Sequence, residues 1–449
     1  MIFCRIPFRY FLLYNIKHIG EFVGKIPTGM WSRGTKLVGM ASKIAVNEIG
    51  ARVKGWENEK ARIQSKVELA HTIVKTMSEL KGASMKLGQL MSMDMGEYLP
   101  PEVIKVLETL HQNSTFLPFE TISGILKEEL GEKYNDLKDL SQTPLAAASI
   151  GQVHTATLHG KAVVIKIQYP GVAESIPSDL KILKLLLKNM NFIQGKDIDL
   201  SSFFNEIEEV LNRETDYVHE CRMLSRYRES FKDSNYIVPE VYPEYSTKKI
   251  LTMERIFGKT FNDWMDKSLL GERKTLAHEL MNLYLDEFFM YGLVQTDPNP
   301  GNFIMTKDNR IGLLDFGAVK EYDRTFIEGY RKVLKHSLHK EIGPLMEESI
   351  KFKFIDERES DEVKDLYVRL MDLLSDPFRQ DSPFDFSDKT FYEESKNLSW
   401  SLSRKCRYSP PPKDLLFLHR KLAGVFILIK RLEAKLVLKD YWYKVEGQD

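Results

Sequence analysis

The first third of the chain has apolar residues at three- and four-residue spacing, which predicts helices. Over residues 58–130 this spacing predicts three helices, and the second begins after a pair of prolines at 100 and 101. The third covers 119–130 and is followed by Gly131, a residue type that commonly ends helices. The sequence therefore predicts a helical region before any strand.

The pattern changes at Pro144. β-branched runs on both sides of the residues HGK (159–161) predict a strand, a tight turn and a second strand. Two helices follow, over 178–193 and 201–230, and the segments YIVPEVY and KKILTMERIFG predict two short strands. After Gly258 the spacing is almost wholly helical, apart from a loop at about 296–320. The fold class is therefore α+β, a small β-rich lobe followed by a larger helical lobe. The predicted regions are a basic segment (1–57), a helical extension (58–140), the first lobe (141–257) and the second lobe (258–449).

Composition limits the possible function classes. The chain has 449 residues, 43% hydrophobic and 29% charged, which is typical of a globular protein with two or three lobes. Lys plus Arg and Asp plus Glu are both 64, so net charge gives no argument for a nucleic-acid partner. The three cysteines, Cys4, Cys221 and Cys406, are far apart and predict reduced thiols.

The first 47 residues are basic, with seven Lys or Arg and one acidic residue, Glu21. No stretch approaches the roughly 18 apolar residues that a membrane-spanning helix requires. Three interpretations stay open: a basic surface extension, an amphipathic segment on a membrane surface and an organellar targeting peptide.

One loop carries the strongest chemical signal. The segment QTDPNPGNF (295–303) contains two prolines and two Asn, which predicts a loop. Asp297 and Asn302 have the spacing D-x-x-x-x-N, and Asp315 begins the tripeptide DFG after an apolar run. Phosphoryl transfer needs metal ions on the phosphates and a carboxylate near the incoming nucleophile. We therefore predict that Asp297 orients the nucleophile and that Asn302 and Asp315 bind Mg²⁺.

Residues earlier in the chain supply the remaining parts of a kinase site, in the order in which protein kinases have them. Lys166, in AVVIKI, matches the strand lysine that binds the α- and β-phosphates, and Glu220 is the predicted carboxylate partner of that lysine. The backbone around Glu254 and Ile256 is predicted to meet the adenine. A lone lysine or glutamate of this kind is usually a surface residue, but five parts in one order predict a site for ATP or ADP with Mg²⁺.

The glycine-rich phosphate loop of protein kinases is missing. At its place the chain has Ala146, Ala147, Ala148 and Ser149. Glycine lets a backbone approach phosphate at positive φ, and alanine restricts that conformation. An alanine run is also a good helix start, but the predicted strands around it weigh against a helix. We therefore expect these residues to cover the nucleotide in a different way.

The chain resembles the UbiB/AarF family of atypical kinase-like proteins, also called ADCK, close to its ubiquinone-biosynthesis branch. The resemblance covers about residues 78–440, and Pro300-Gly301 follows the broader family rather than that branch, which leaves bacterial or mitochondrial origin open. The motifs that carry it are KLGQ (86–89), AAASIGQVH (146–154), KIQYPGV (166–172), ETDYVHE (214–220), QTDPN (295–299), LLDFGAVKEYD (313–323) and LHRKLAG (418–424).

The resemblance implies a protein-kinase-like fold of two lobes with an N-terminal helical extension. Lys86, Gly88 and Gln89 would be the K-x-G-Q motif of that extension, lying over the active site near the regulatory pair Glu214 and Asp216. It also implies a Mg-dependent ATPase or small-molecule kinase that supports ubiquinone biosynthesis at a membrane. The expected partners are nucleotide, a membrane surface or a quinone-precursor lipid, and ubiquinone-biosynthesis proteins. The expected location is the mitochondrial inner membrane, or the cytoplasmic face of a bacterial membrane.

Three other functions are weighed against this one. An ordinary protein kinase is disfavoured because no A-P-E motif follows DFG, and the next residues, RTFIEGYRKVLKH, predict a helix. A small-molecule kinase of the aminoglycoside or choline type would lack K-x-G-Q. A nucleotide-switched scaffold of a lipid-modifying complex would bind ATP without chemistry. The intact residues Lys166, Asp297, Asn302 and Asp315 favour catalysis.

Overall fold

The computed structural model describes residues 116–148, 150–189, 200–409 and 412–446, together with Val67 and His71. The predicted basic segment, the first two predicted helices apart from Val67 and His71, and the residues Lys86, Gly88, Gln89 and Ser149 lie outside the described residues.

The chain forms two compact units. The first runs to Tyr217 and includes Pro243–Thr252, and the second contains Val218–Tyr242 and the chain from Met253 onward. The predicted region boundaries at 57, 140 and 257 differ from these and stay a prediction.

Strands β1 (Ala146–Ala148), β2 (Gly151–Leu158), β3 (Lys161–Gln168) and β4 (Ile250–Glu254) form a four-stranded sheet in the order β1-β2-β3-β4. The first unit contains this sheet except for Met253 and Glu254 of β4. Between β2 and β3 the chain turns at His159 and Gly160, both at positive φ, so the predicted strand-turn-strand is confirmed. The alanine run is strand β1, not the start of a helix.

In the described part of the first unit the helices are α1 (Phe119–Leu130), α2 (Val172–Asn189) and α3 (Leu200–Glu214). The first ends before Gly131, whose positive φ of 56° favours glycine, as the sequence predicts. Its residue Leu126 is fully buried.

The predicted single helix over 201–230 is wrong, because the chain forms α3 and a separate helix α4 (Tyr217–Ser230). The break is at Thr215, whose carbonyl accepts a hydrogen bond from Gln168 Nε2 at 3.0 Å. The amide of Tyr217 is directed to the Lys248 carbonyl at 3.4 Å. Apolar spacing continues across the break, so periodicity alone does not show it.

The second unit is mainly helical. Its helix α7 (Arg324–Leu338) confirms the helix predicted after DFG, and Asp323 caps it by accepting a hydrogen bond from the Phe326 amide at 2.7 Å. Phe288, fully buried, packs edge-on against Tyr322 and Tyr330 in the core. The helices are α5 (Phe261–Met265), α6 (Leu270–Leu285) with a π-helical turn (Asp286–Tyr291), α7 (Arg324–Leu338), α8 (Ile342–Lys351), α9 (Asp361–Ser375), α10 (Lys389–Lys405), α11 (Lys413–Arg431) and α12 (Trp442–Glu446).

Short strands lie between these helices in three small sheets, ordered β5-β7-β8, β6-β9 and β10-β11. Among the described helices, none has the length and apolar character needed to span a membrane. The strands are β5 (Lys259–Thr260), β6 (Leu293–Gln295), β7 (Phe303–Met305), β8 (Ile311–Leu313), β9 (Val319–Glu321), β10 (Phe384–Asp385) and β11 (Lys435–Leu436).

The strand predicted for YIVPEVY is wrong. That segment forms only isolated bridges, from Ile237 to Gly312 and from Val241 to Met253. Pro239 stands between the two bridges and has no N–H to donate, which prevents a continuous ladder.

Candidate active site

Two short antiparallel strand pairs bring the predicted metal residues together. Strand β6 pairs with β9 and strand β7 with β8, where Phe303 is opposite Leu313. The Leu314 amide then donates to the Asn302 carbonyl at 3.1 Å. Asn302 and Asp315 therefore lie at the same end of the β7–β8 pair.

Side-chain hydrogen bonds close the loop between β6 and β7. Asn302 Nδ2 donates to the Asp297 carbonyl at 3.1 Å, and Asp297 Oδ1 accepts from the Asn299 amide at 3.2 Å. Asn299 Oδ1 accepts from the Gly301 amide at 2.9 Å. The D-x-x-x-x-N spacing thus has a physical reason, because both end residues bond inside the same turn. Asp297 and Asn302 are half-buried.

The DFG turn lies beside helix α4. Asp315 Oδ1 accepts from the Gly317 amide at 3.0 Å. Phe316 is buried and packs edge-on against Tyr227 of α4, with ring centroids 5.1 Å apart. A Cβ placed on Gly317 would lie 3.4 Å from Asp315 Oδ1 and 3.5 Å from Glu220 Oε2. The carboxylates of Asp315 and Glu220 therefore converge on this glycine.

In the first unit, Lys166 lies on β3 and is 7% exposed. Its Nζ is 5.0 Å from the ring centroid of Tyr217, a cation–π contact. Gln168, two residues along the strand, holds the turn at Thr215. Sequence reasoning missed Tyr217 and Gln168; Tyr217 is the aromatic residue of ETDYVHE.

The predicted regulatory pair, Glu214 and Asp216, borders that turn. Glu214 ends α3 and is buried, whereas Asp216 is exposed. The structure therefore places Glu214, Asp216 and Lys166 in the same unit. Glu220, Asp297, Asn302 and Asp315 belong to the other unit, and so do Glu254 and Ile256.

The motif AAASIGQVH contains structural residues as well as the predicted nucleotide cover. A Cβ on Gly151 would lie 2.2 Å from the Ile167 carbonyl oxygen, so only glycine fits against β3. Gln152 and His154 are fully buried, and Gln152 Oε1 accepts from the Leu117 amide at 2.8 Å. Ala146 and Ala147 are exposed on β1.

Hydrogen bonds with Glu240 fix the predicted adenine-binding segment at Glu254. The Glu254 amide donates to the Glu240 carbonyl at 2.7 Å, and Glu254 Oε2 accepts from the Glu240 amide at 3.0 Å. Ile256 packs against Gly312, where a Cβ would lie 2.9 Å from Ile256 Cγ2. Contact with adenine stays a prediction.

Comparisons with known proteins agree on one family. Residues 109–349 match the ABC1 atypical kinase-like domain. The chain is 33% identical over 440 residues to "Atypical kinase COQ8, mitochondrial" of Saccharomyces cerevisiae, covering 94% of this chain and 86% of the relative. It is 31% identical over 433 residues to "Atypical kinase COQ8B, mitochondrial" of Danio rerio, covering 94% of this chain and 69% of the relative. The solved Rv3197–erythromycin complex of Mycobacterium tuberculosis has a TM-score of 0.57 and 26% identity, over 81% of this chain and 92% of that chain.

Proposed function

Because this chain belongs to the ABC1 atypical kinase-like family, we propose that it binds Mg-ATP and transfers phosphate to water or a small molecule. The family membership confirms the predicted resemblance and the kinase-like α+β fold. The observation that carries the proposal is the placement of Asp297, Asn302 and Asp315 at the ends of two short strand pairs.

The residues present fit a magnesium ion. Mg²⁺ takes oxygen ligands and is usually held by one or two protein groups together with substrate phosphates. Asn302 uses its Nδ2 on the Asp297 carbonyl, which leaves Oδ1 as the oxygen for a metal. Asp315 is oriented through the Gly317 amide. When bound, the ion would neutralise charge on the phosphates.

The other residues take the roles that the family resemblance implies. Asp297, oriented by the Asn299 amide, positions the attacking water or hydroxyl. Lys166 holds the α- and β-phosphates and has Glu220 as its carboxylate partner. Ala146, Ala147, Ala148 and Ser149 cover the nucleotide, and the backbone at Glu254 and Ile256 meets the adenine.

The same resemblance supports a restricted choice of acceptor. Lys86, Gly88 and Gln89 would keep proteins from the acidic pair Glu214 and Asp216, so that water or a small molecule is the acceptor. We place the activity in ubiquinone biosynthesis at a membrane, with ubiquinone-biosynthesis proteins as partners. The relatives named as mitochondrial support a mitochondrial location.

The test is ATP turnover by the purified protein, with and without liposomes and a quinone-precursor-like phenol. Asp315→Asn should reduce both turnover and the thermal shift produced by Mg-nucleotide. Asp308→Asn is the matched control, because Asp308 is an exposed residue in the β7–β8 turn that accepts a local hydrogen bond from the Thr306 hydroxyl. An undiminished thermal shift in Asp315→Asn would remove Asp315 from the metal role. A full shift in the wild type without turnover would favour the nucleotide-switched scaffold.

A further inference from the structure

A buried ion pair lies next to the strand that leads into the candidate catalytic loop. Lys421, in the LHRKLAG motif of α11, is 1% exposed, and Glu287, in the π-helical turn, is fully buried. Lys421 Nζ donates to Glu287 Oε1 at 3.3 Å and to Gln295 Oε1 at 3.2 Å. Nζ also lies 3.0 Å from Glu287 Oε2. This second contact is an ion pair only, because Oε2 has no hydrogen-bond partner among the described residues.

These contacts join four separate segments of the chain. Gln295 is the last residue of β6, and the loop begins with Thr296 and Asp297. The Tyr227 hydroxyl donates to Glu287 Oε1, and its ring packs on Phe316 of the DFG turn. We name Lys421, Glu287, Gln295 and Tyr227 the Lys421 network.

Helix α11 meets the loop at a second point. Gly424 is three residues after Lys421, so both lie on the same face of the helix. A Cβ on Gly424 would lie 2.1 Å from Cβ and Cγ of Pro298, the residue after Asp297. The helix is therefore in direct contact with the loop as well as with β6.

Stability alone gives no good reason for this pair. Burying two charges costs desolvation energy, and replacing a buried ion pair with apolar residues of similar volume is often neutral or stabilising. Burial raises the pKa of the Glu287 carboxyl, although the Lys421 charge, the Tyr227 hydroxyl and the Gln295 backbone oppose this increase. What the pair does supply is a directed hydrogen bond on Gln295.

We propose that Lys421 and Glu287 are positioning residues that hold Gln295 and thereby the start of the loop carrying Asp297 and Asn302. Neither residue touches nucleotide or metal in this role. The inference rests on the proposed function of Asp297 and Asn302, so its test needs a measurement that does not depend on turnover.

The main test is the double variant Glu287→Gln/Lys421→Met, which removes both charges and leaves neither alone in the core. We expect the Mg-nucleotide thermal shift and the KM for ATP to stay near wild type, while kcat falls at least about tenfold, because small misplacements of catalytic groups are costly. Amide hydrogen exchange should accelerate in peptides covering 295–302. Gln295→Met, which keeps the ion pair, should also lower kcat and accelerate exchange. This variant replaces the double variant if the double variant does not fold. If a folded variant exchanged the amide hydrogens of this segment at the wild-type rate, the proposal would be overturned.

The chain offers a matched control in the neighbouring residue. Asp286 pairs with Lys444 of α12 at 2.6 Å, in the same π-helical turn but with a different helix. The variant Asp286→Asn/Lys444→Met should leave kcat and loop exchange unchanged. An equal change in this control would assign the effect to the helical turn in general and overturn the proposal.

Asp297→Asn, measured in parallel, separates this inference from the proposed function. If Asp297→Asn kept full turnover, the proposed function would fail. Hydrogen exchange would still decide whether the Lys421 network holds the loop.

Discussion

The two units hold their candidate functional residues in different ways. Lys166 lies on a hairpin with eight consecutive pairs, from Gly151–Gln168 to Leu158–Lys161. Asn302 and Asp315 flank strand pairs of only three residues each. In the first case a long backbone ladder fixes the position of Lys166 along β3. In the second unit the ladders are short, and side-chain hydrogen bonds and the Lys421 network help to position the candidate functional residues. We therefore expect substitutions of polar anchors to matter more in the second unit.

The largest expected effect is on activity, at the residues that the short strand pairs position. Asp297→Asn should lower kcat by about 100-fold or more, because a positioned base contributes about 10²–10⁴-fold. The thermal midpoint should change little, since the Asn oxygen can still accept from the Asn299 amide. Steady-state ATP turnover and thermal unfolding measure the two quantities. A kcat within threefold of wild type would show that Asp297 is not the catalytic carboxylate.

The next effect is on stability, at the long hairpin. Gly151→Ala should lower the free energy of unfolding by about 3 kcal/mol, because its Cβ would meet the Ile167 carbonyl at 2.2 Å and neither backbone can give way. Gly124→Ala is the control, since that exposed helix position has no atom within 4 Å of an added Cβ. The Gly124→Ala substitution should raise the free energy of unfolding by about 0.5–1 kcal/mol. Urea titration measures both, and equal values would contradict the close approach of β2 and β3.

A third substitution tests the contact between α11 and the loop. Gly424→Ala would press a methyl group against the rigid ring of Pro298, so we expect kcat to fall about tenfold. The expected loss of unfolding free energy is about 1–2 kcal/mol. Gly343→Ala, where an added Cβ has no neighbour within 4 Å, is the control for a helical Gly→Ala change. Unchanged turnover in Gly424→Ala would mean that the loop tolerates movement of the helix.

The same contrast explains how much could be predicted from sequence. The hairpin with Lys166 and the loop with Asp297 depend on neighbouring residues, and β-branched runs, HGK and the prolines indicate them. The break at Thr215 was missed because the side chain that bonds its carbonyl, Gln168, lies 47 residues earlier, on β3. The Lys421–Glu287 pair was missed because its members are 134 residues apart and no local pattern links them. The composition of the Ala146–Ala148 run alone would favour a helix, and only the predicted strands around the run indicated correctly that it is not helical.

The smallest effect compares one substitution in both settings. Thr296 follows the short strand β6, and its hydroxyl donates to the Ala318 carbonyl at 2.8 Å. Thr157 lies in the long strand β2, and its hydroxyl donates to the exposed Asp139 carboxylate at 3.1 Å. Thr296→Val should lose about 1 kcal/mol of unfolding free energy, the net worth of a typical hydrogen bond.

Thr157→Val should change the unfolding free energy by less than about 0.5 kcal/mol, because valine suits a strand and the exposed carboxylate can bond to water. Serine at each position keeps the hydroxyl and is the control, so Thr296→Ser should retain the bond that Thr296→Val removes. Urea titrations of the four variants give the comparison. Equal losses in the two valine variants would mean that the short strand pairs do not depend on polar anchors more than the long hairpin does.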